Sequence, residues 1–263
     1  MSFHILPCRQ TLLSRPLAAA AFLLSASINA NAITNIESQR LNGVTEGLSG
    51  NIKFSLAGKS GNTDKQSSTA YALADYLQEK NEWLAIARLE YGQTSGNRDV
   101  NNKFYHGRYI YHLNDRFAWE GFLQYQTDEF KFLRSRSLEG GGARWTLYQS
   151  DAQLLALGTG AYYTQERFNL STGEPTDDYA RANFYLTYKY AISPTSQLSN
   201  TAYFQPRFSD TSDYYASNSL ALTVKINNRL ALELNVETQY DNKPVDNLKK
   251  TDQNYTTSLV YSF

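Results

Sequence analysis

The residues best suited to do chemistry in this 263-residue chain are charged side chains that alternate with apolar and aromatic ones. Between Gly47 and Gly58, for example, Lys53 lies between Ile52 and Phe54. If the apolar residues of each such segment face outward, the opposite faces carry more bases than acids. The bases are Lys53, Arg88, Arg108, Arg134, Arg136, Arg144, Arg181, Lys189, Arg207 and Lys225; the acids are Glu90, Glu120, Asp128, Glu166, Glu233 and Glu237.

Two kinds of interior are consistent with this charge pattern. Buried charges are costly unless they are paired or hydrated, so they could form a rigid interior closed by salt bridges. Alternatively, an excess of arginines along a wet pore would favour anions over cations. The candidate lining residues are Lys53, Arg88, Arg108, Glu120, Arg136, Arg144, Arg181, Lys189, Arg207, Glu233 and Glu237.

Catalysis is the rival interpretation of these polar residues, because some bacterial outer-membrane proteins built from β-strands are hydrolases. A Ser-His pair would need a histidine beside a serine, but His106 and His112 share the polar face of a tyrosine-rich segment without a nucleophile motif. Asp177 and Asp178 fall in a polar loop, where solvated charge is the ordinary explanation. We therefore predict no enzyme activity, no catalytic residue, no cofactor and no metal.

The elements that position these charges are β-strands, because the apolar residues recur with a period of two. Segments of this kind, each long enough to cross a bilayer, fit a single twelve-stranded antiparallel transmembrane β-barrel of the outer-membrane type better than a soluble β-sandwich. The predicted strands cover residues 47–58, 66–77, 82–93, 102–113, 116–127, 135–148, 152–165, 179–190, 197–208, 214–226, 229–240 and 253–263.

The connections between the segments alternate in length. Short turns are predicted at 78–81, 114–115, 149–151, 192–196 and 227–228, and longer polar loops at 59–65, 94–101, 128–133, 168–178, 209–213 and 241–252. Short turns on the periplasmic side and longer extracellular loops are typical of outer-membrane barrels. Both termini would then lie in the periplasm.

The two ends of the sequence predict export and assembly. Arg9 and Arg15, an apolar run and Ala30-Asn31-Ala32 fit a signal peptide over residues 1–32, and its removal would also remove Cys8. Residues 33–45 would form a short periplasmic segment able to enter the lumen, and 46–263 the barrel. Tyr261 and Phe263 end the last alternating strand and resemble the terminal assembly signal of bacterial outer-membrane barrels.

Several short motifs resemble a bacterial family, the domain of unknown function 481, often labelled salt-induced outer-membrane proteins. The motifs are Leu56 to Asp64, Leu113 to Phe117, Asp128 to Arg136 and the glycines Gly140 to Gly142, in that order. The resemblance spans most of residues 47–263. It implies an outer-membrane barrel and leaves the activity open. By themselves, the three glycines indicate a bulge, a bend or room for a ligand.

Together these features favour a protein of the Gram-negative outer membrane. We expect a small pore for passive diffusion of hydrophilic solutes or ions, or an envelope protein linked to salt or osmotic stress. A non-conducting barrel with a salt-bridged lumen is the alternative, and an outer-membrane hydrolase is a further one. The expected partners are lipid, lipopolysaccharide and the barrel assembly machinery. The 25 basic and 25 acidic residues give no reason to expect nucleic acid.

Overall fold

The chain folds into one closed antiparallel β-barrel of twelve strands, with β12 returning to pair with β1. The computed structural model describes residues 36–37, 46–59, 64–245 and 248–263; the predicted signal peptide and most of residues 33–45 lie outside this part. The predicted all-β barrel is confirmed. The strands are β1 Gly47–Lys59, β2 Lys65–Gln78, β3 Asn81–Thr94, β4 Asn97–Asn114, β5 Phe117–Asp128, β6 Leu133–Gln149, β7 Gln153–Phe168, β8 Thr176–Ser193, β9 Ser196–Arg207, β10 Asp210–Lys225, β11 Leu230–Asp241 and β12 Thr251–Ser262.

Alternation along each strand gives the wall two chemically different faces. Leu56 on the outer face is 72% exposed, whereas interior side chains such as Thr187 and Thr201 are fully buried. A soluble protein would cover such an apolar exterior, but a bilayer supplies its own apolar surroundings. The described part of the chain contains no helix with the length and apolarity needed to cross a bilayer.

The two ends of the barrel differ in their connections. At the end called here the turn rim, β1 begins and β12 ends. The opposite end, the loop rim, carries the connections after Phe168 and Asp241 and a 3₁₀ helix, Glu129–Lys131. Asp128 caps this helix by accepting hydrogen bonds from the backbone N–H groups of Phe130 and Lys131.

Two of the predicted long loops are wrong. β3 and β4 are joined by the two-residue turn Ser95-Gly96, whose φ angles of 51° and 79° match the left-handed geometry of tight hairpins. The β9–β10 connection is equally short, because Asp210 already pairs with Arg207. In both places polar residues predicted as loop continue the strands beyond the membrane-facing band, where polarity no longer distinguishes strand from loop.

The wall formed by β2–β4 has its large apolar side chains on the interior face, whereas the wall formed by β8–β10 has them on the outer face. In β2–β4 the interior face carries Tyr71, Leu73, Leu84, Ile86 and Phe104, all buried, whereas the outer face carries alanines and Gly107. In β8–β10 the interior residues include small polar Thr187, Thr201 and Ser219, and the outer residues include Leu186, Phe204 and Leu220.

Aromatic side chains mark both rims of the outer surface. Near the turn rim Trp83 packs between Tyr76 and Tyr109, with ring centroids 5.8 and 5.6 Å apart. Near the loop rim Tyr214 packs between Phe204 and Tyr240, at 5.4 and 5.6 Å. Rings of this kind favour the boundary between hydrocarbon and water, so the arrangement is typical of a membrane-facing barrel.

The barrel closes through a short seam between β1 and β12. The paired register covers only Asn51 to Phe54 of β1. Two backbone hydrogen bonds extend it at the turn rim, where the Gly50 N–H donates to the Phe263 carbonyl at 3.0 Å and the Phe263 N–H donates to the Gly50 carbonyl at 3.1 Å. The Phe263 ring covers Gly50 so closely that a Cβ there would lie 2.6 Å from the ring.

Candidate functional site

The candidate site is the interior of the barrel, where the structure places the predicted lining residues. Arg134 and Lys225, also expected to face inward, are exposed instead. A register shift between Leu133 and Ser135 turns the Arg134 guanidinium outward to Glu174. Residues on the inward face of their strands are Lys53, Arg88, Arg108, Glu120, Arg136, Arg144, Arg181, Lys189, Arg207, Glu233 and Glu237.

The interior arginines have acidic partners. Nη2 of Arg181 lies 2.6 Å from a carboxylate oxygen of Asp213, and Nε of Arg136 lies 2.5 Å from one of Glu166. Nε of Arg88 is 3.4 Å from the neighbouring Glu90. Opposite charges at these distances offset part of the free-energy cost of removing each of them from water. These interior arginines are therefore held in ion pairs, as in the salt-bridged one of the two interiors that the sequence leaves open.

At the centre of the barrel, Glu37 of the N-terminal segment joins two of these arginines. One of its carboxylate oxygens lies 2.7 Å from Nη1 of Arg108, and the other lies 3.0 Å from Nη1 of Arg144. Arg108 also contacts Glu120 at 3.1 Å, and Glu37 is only 1% exposed. A carboxylate from outside the barrel wall thus fills the space between β4 and β6.

The residue before Glu37 provides an apolar anchor. Ile36 is 2% exposed and clusters with the large interior side chains of β2–β4. Enclosing an isoleucine in this way stabilises the docked segment by about 1.5 to 3 kcal/mol. The wall residues in this cluster are Tyr71, Leu73, Leu84, Ile86 and Phe104. Their contact with Ile36 explains why apolar side chains lie on the inside of the barrel.

Glycines let large side chains cross the interior next to Glu37. At Gly158 a Cβ would lie 2.0 Å from the ring of Tyr185, so only glycine leaves space for that ring. The Tyr185 hydroxyl donates to Glu120 at 3.1 Å, and the Tyr203 hydroxyl accepts from the backbone N–H of Glu37 at 3.4 Å. The ring contact with Gly158 therefore helps to hold the acid that shares Arg108 with Glu37.

The predicted glycine run serves close packing rather than a bulge. The β6–β7 register is unbroken at Gly140 to Gly142, and its shifts lie elsewhere. A Cβ at Gly142 would lie 2.3 Å from the carbonyl oxygen of Thr159, and one at Gly140 would lie 2.7 Å from the Phe122 ring. These glycines let β6 and β7 approach while bulky side chains lie across them.

Near the loop rim, a second group of charged and aromatic residues surrounds a cavity of about 60 Å³. The Arg181 guanidinium carbon lies 3.9 Å from the centre of the Tyr215 ring, and that of Arg207 lies 4.2 Å from the Tyr179 ring. Tyr179 also donates to Glu166 at 2.6 Å. Stacking of this kind holds each guanidinium group over its ring. These side chains therefore narrow the lumen between Glu37 and the loop rim.

Interior acids were under-counted from the sequence. Glu37, Asp75, Glu82, Asp213, Asp241 and Asp252 are all buried. Among the described residues the interior acids outnumber the interior bases, which reverses the predicted excess of bases. The alternation beside Tyr71 and Leu84 could have revealed Asp75 and Glu82, had apolar residues been allowed on the interior face. Glu37 had no such signal, because it lies outside every strand.

Both histidines of the barrel contact polar side chains, and His106 also contacts aromatic rings. Nδ1 of His106 lies 3.2 Å from the side-chain oxygen of Gln124, and its ring stacks between Phe104 and Phe122. His112 lies 2.6 Å from Glu82. Within the residues that the structure describes, no cluster of three His, Cys, Asp or Glu side chains could hold a metal ion.

The 3₁₀ helix at the loop rim places a lysine over the mouth of the lumen. Nζ of Lys131 lies 3.7 Å from Asp128 and 3.9 Å from Asp252. Burial lowers the pKa of Lys131, while the two neighbouring carboxylates act in the opposite direction. This lysine connects the helix to β12 across the mouth.

A closed twelve-stranded barrel with a charged, side-chain-filled interior defines the structural class. The family model "Protein of unknown function, DUF481" matches residues 52–263, so the chain belongs to that family. No curated protein matches the sequence significantly.

Solved structures share the fold at low sequence identity. The translocator domain of the autotransporter NalP from Neisseria meningitidis is 13% identical, with a TM-score of 0.53, and the match covers 86% of this chain and 91% of that one. The COG4313 outer membrane channel from Pseudomonas putida F1 is 10% identical, with a TM-score of 0.51, covering 84% and 97%. Similarity at this level concerns the barrel architecture.

Proposed function

We propose that this protein is a channel of the Gram-negative outer membrane, for small hydrophilic solutes or ions, that rests in a closed state. The N-terminal segment closes it, and Glu37 is the residue that holds the segment in place. The observation that carries this proposal is the double ion pair from Glu37 to Arg108 and Arg144 in the centre of the lumen.

The contacts around Glu37 are suited to a removable plug. The segment joins the wall where β1 begins, at Gly47, and its described contacts inside the barrel are those of two residues, Ile36 and Glu37. A wall built only for rigidity would pair its own arginines across strands, as Arg136 and Glu166 do. Arg144 instead takes its carboxylate from the segment.

The outer-membrane location is part of the proposal. It is supported by the apolar outer face and the aromatic side chains at both rims. With the turn rim in the periplasm, the N-terminal segment enters the lumen from the periplasmic side. Signal-peptide cleavage after Ala32 would then leave three residues before Ile36.

Single-channel conductance of the mature chain in planar bilayers tests the proposal. Wild type should be closed most of the time, whereas Glu37→Ala should raise the open probability at least tenfold. Losing one partner of a buried pair costs about 3 to 5 kcal/mol in the docked state, but a hydrated lumen can solvate the freed arginines. Glu46→Ala is the matched control, because the Glu46 side chain accepts a hydrogen bond from the backbone N–H of Glu79 at the exposed rim, away from Glu37.

The ion preference of the open state sharpens the test. Glu37→Gln keeps the side-chain shape and removes the charge, so it should raise the open probability as Glu37→Ala does and leave the ion preference of the openings unchanged. Replacing Arg108 and Arg144 together with glutamine should shift it toward cations. If deletion of residues 33–45 leaves the folded barrel silent, the channel proposal is wrong and the salt-bridged structural barrel replaces it.

A further inference from the structure

A groove of about 990 Å³ crosses the outer face of the barrel from β1 to β7. It follows two rows of residues that are paired from strand to strand. The first row is Ile52, Ala72, Ala87, Tyr105, Tyr125, Ser137 and Gln165, and the second is Ala74, Ala85, Gly107, Leu123, Glu139 and Tyr163.

On β2–β4 the floor of this groove is formed by small residues, namely Ala72, Ala74, Ala85, Ala87 and Gly107, and larger residues flank it. A Cβ at Gly107 would meet no atom within 4 Å, so the floor is open to the surroundings. Toward the turn rim the next row carries Leu48, Tyr76, Trp83 and Tyr109. Toward the loop rim it carries Phe54, Ala70, Leu89 and Lys103. A concave apolar strip on an otherwise convex wall is a binding surface for an apolar chain.

The groove rises across the wall because the strands tilt. Ile52 lies near the Gly47 end of β1, whereas Gln165 lies near the Phe168 end of β7. The β6–β7 end of the groove therefore lies closest to the loop rim. On the loop-rim side of the groove, two of the strands that line it carry exposed basic side chains, Lys103 on β4 and Arg167 on β7.

Polar side chains lie on the outer face at that same end. Ser137, Glu139 and Gln165 are all exposed, and Glu139 is paired in register with Leu123 on one side and Tyr163 on the other. A carboxylate on a wall that faces lipid costs free energy unless it accepts hydrogen bonds. The occupant of the groove should therefore bring N–H or O–H donors to this level.

We propose that the groove binds lipopolysaccharide, with an acyl chain on the alanine and glycine floor and a phosphate of the head group near Lys103 and Arg167. The amide and hydroxyl groups at the roots of its acyl chains would donate to Glu139 and Gln165. An ordinary phospholipid has ester oxygens at that level, which accept and cannot donate. Two copies of the chain would place one hollow against another, which leaves the space unfilled.

Binding of purified lipopolysaccharide to the refolded mature barrel in detergent tests this assignment, with phosphatidylglycerol as the comparison lipid. Ala85→Phe fills the floor of the groove, and Lys103→Glu reverses the charge near the phosphate. Each should weaken lipopolysaccharide binding about tenfold or more. The matched controls are Ala202→Phe, on the exposed outer face of β9, and Lys250→Glu, in an exposed loop; both should bind within twofold of wild type.

The outcomes separate the possible occupants. Equal binding by Ala85→Phe and Ala202→Phe, or equal affinity of the wild type for both lipids, would overturn the assignment. Loss of a dimer in Ala85→Phe, seen by cross-linking without lipid, would assign the groove to a second copy instead. Gly107→Leu provides a second groove-filling variant if Ala85→Phe fails to fold, because its side chain enters open space. The proposal rests on the outer-membrane location that is part of the proposed function, but it does not depend on conductance. The lipid-binding test can therefore fail while the conductance test succeeds, and the reverse.

Discussion

The β2–β4 wall and the β8–β10 wall are parts of one sheet, yet they distribute apolar bulk in opposite directions. Leu84 and Ile86 of β3 point into the barrel and contact Ile36, whereas Leu186 of β8 and Leu220 of β10 point outward. The size and polarity of the side chains on each face depend on what that face contacts. The inner face is apolar where a segment docks, and the outer face has small residues where a groove runs. Neither distribution is a property of the strands alone.

A charge on the outer face of the β8–β10 wall should have the largest effect. Leu220→Arg places a guanidinium against hydrocarbon at a cost of roughly 2 to 4 kcal/mol near the midplane. We expect loss of the heat-modifiable form from outer-membrane fractions. Thr223→Arg is the control on the same strand, because Thr223 lies on the interior face and is only half-buried. Equal loss of both proteins would mean that the interior cannot accept a hydrated charge.

Removing the apolar contact on the β2–β4 wall should release the N-terminal segment without unfolding the barrel. Ile36→Ser gives up about 1.5 to 3 kcal/mol of apolar burial. The undocked fraction should therefore rise about tenfold to a hundredfold, measured as faster cleavage of the segment by an added protease. Thr201→Ser, on the interior of β9, should leave the cleavage rate unchanged. A slow rate in Ile36→Ser would show that the ion pairs alone hold the segment.

The packed interior beside β8 and the open groove floor on the β2–β4 wall should also differ in how they tolerate a single methyl group. Gly158→Ala should destabilise the barrel by about 1 to 3 kcal/mol, because its Cβ would overlap the Tyr185 ring. Gly107→Ala, on the open groove floor, should change the free energy of unfolding by less than about 0.5 kcal/mol. Urea unfolding in lipid vesicles measures both. A similar loss in the two variants would contradict the contact between Gly158 and Tyr185.

Exposed ion pairs at the loop rim should contribute least. Arg134→Ala removes the contact with Glu174, where both side chains are more than half exposed. The free energy of unfolding should fall by at most about 1 kcal/mol. Arg136→Ala, two residues along, should cost several times more, because its partner Glu166 would be left buried without a neighbouring positive charge at 2.5 Å. Urea unfolding of both variants measures the two losses of free energy of unfolding, and their ratio compares an ion pair at the rim with one in the interior.

Strand number and facing could be predicted from the sequence because the period-two pattern acts locally. The pattern correctly separated Leu56 from Ser55 and Leu232 from Glu233. It failed at Arg134, since one extra residue in β6 changes the face that follows it. It also failed at Asp75, whose neighbours Tyr71 and Leu73 are apolar on the same interior face.

The central cluster and the groove could not be predicted because both depend on which strands become neighbours. Glu37 meets Arg108 and Arg144 only after the barrel has closed around it, across 71 and 107 residues of sequence. The groove exists because Ala74, Ala85 and Gly107 fall beside one another in the paired register, which no single segment reveals.

The short β1–β12 seam makes one joint of the wall weaker than the rest. Beyond Phe54 the described contact across it is the hydrogen bond between the hydroxyls of Ser55 and Ser258, at 2.8 Å, a side-chain link in place of a backbone ladder. Fewer ladder bonds mean a lower free energy of local opening. Amide hydrogens along this joint should therefore exchange with deuterium before those of any other strand pair, and thermal unfolding should start there as an unzipping of the ring.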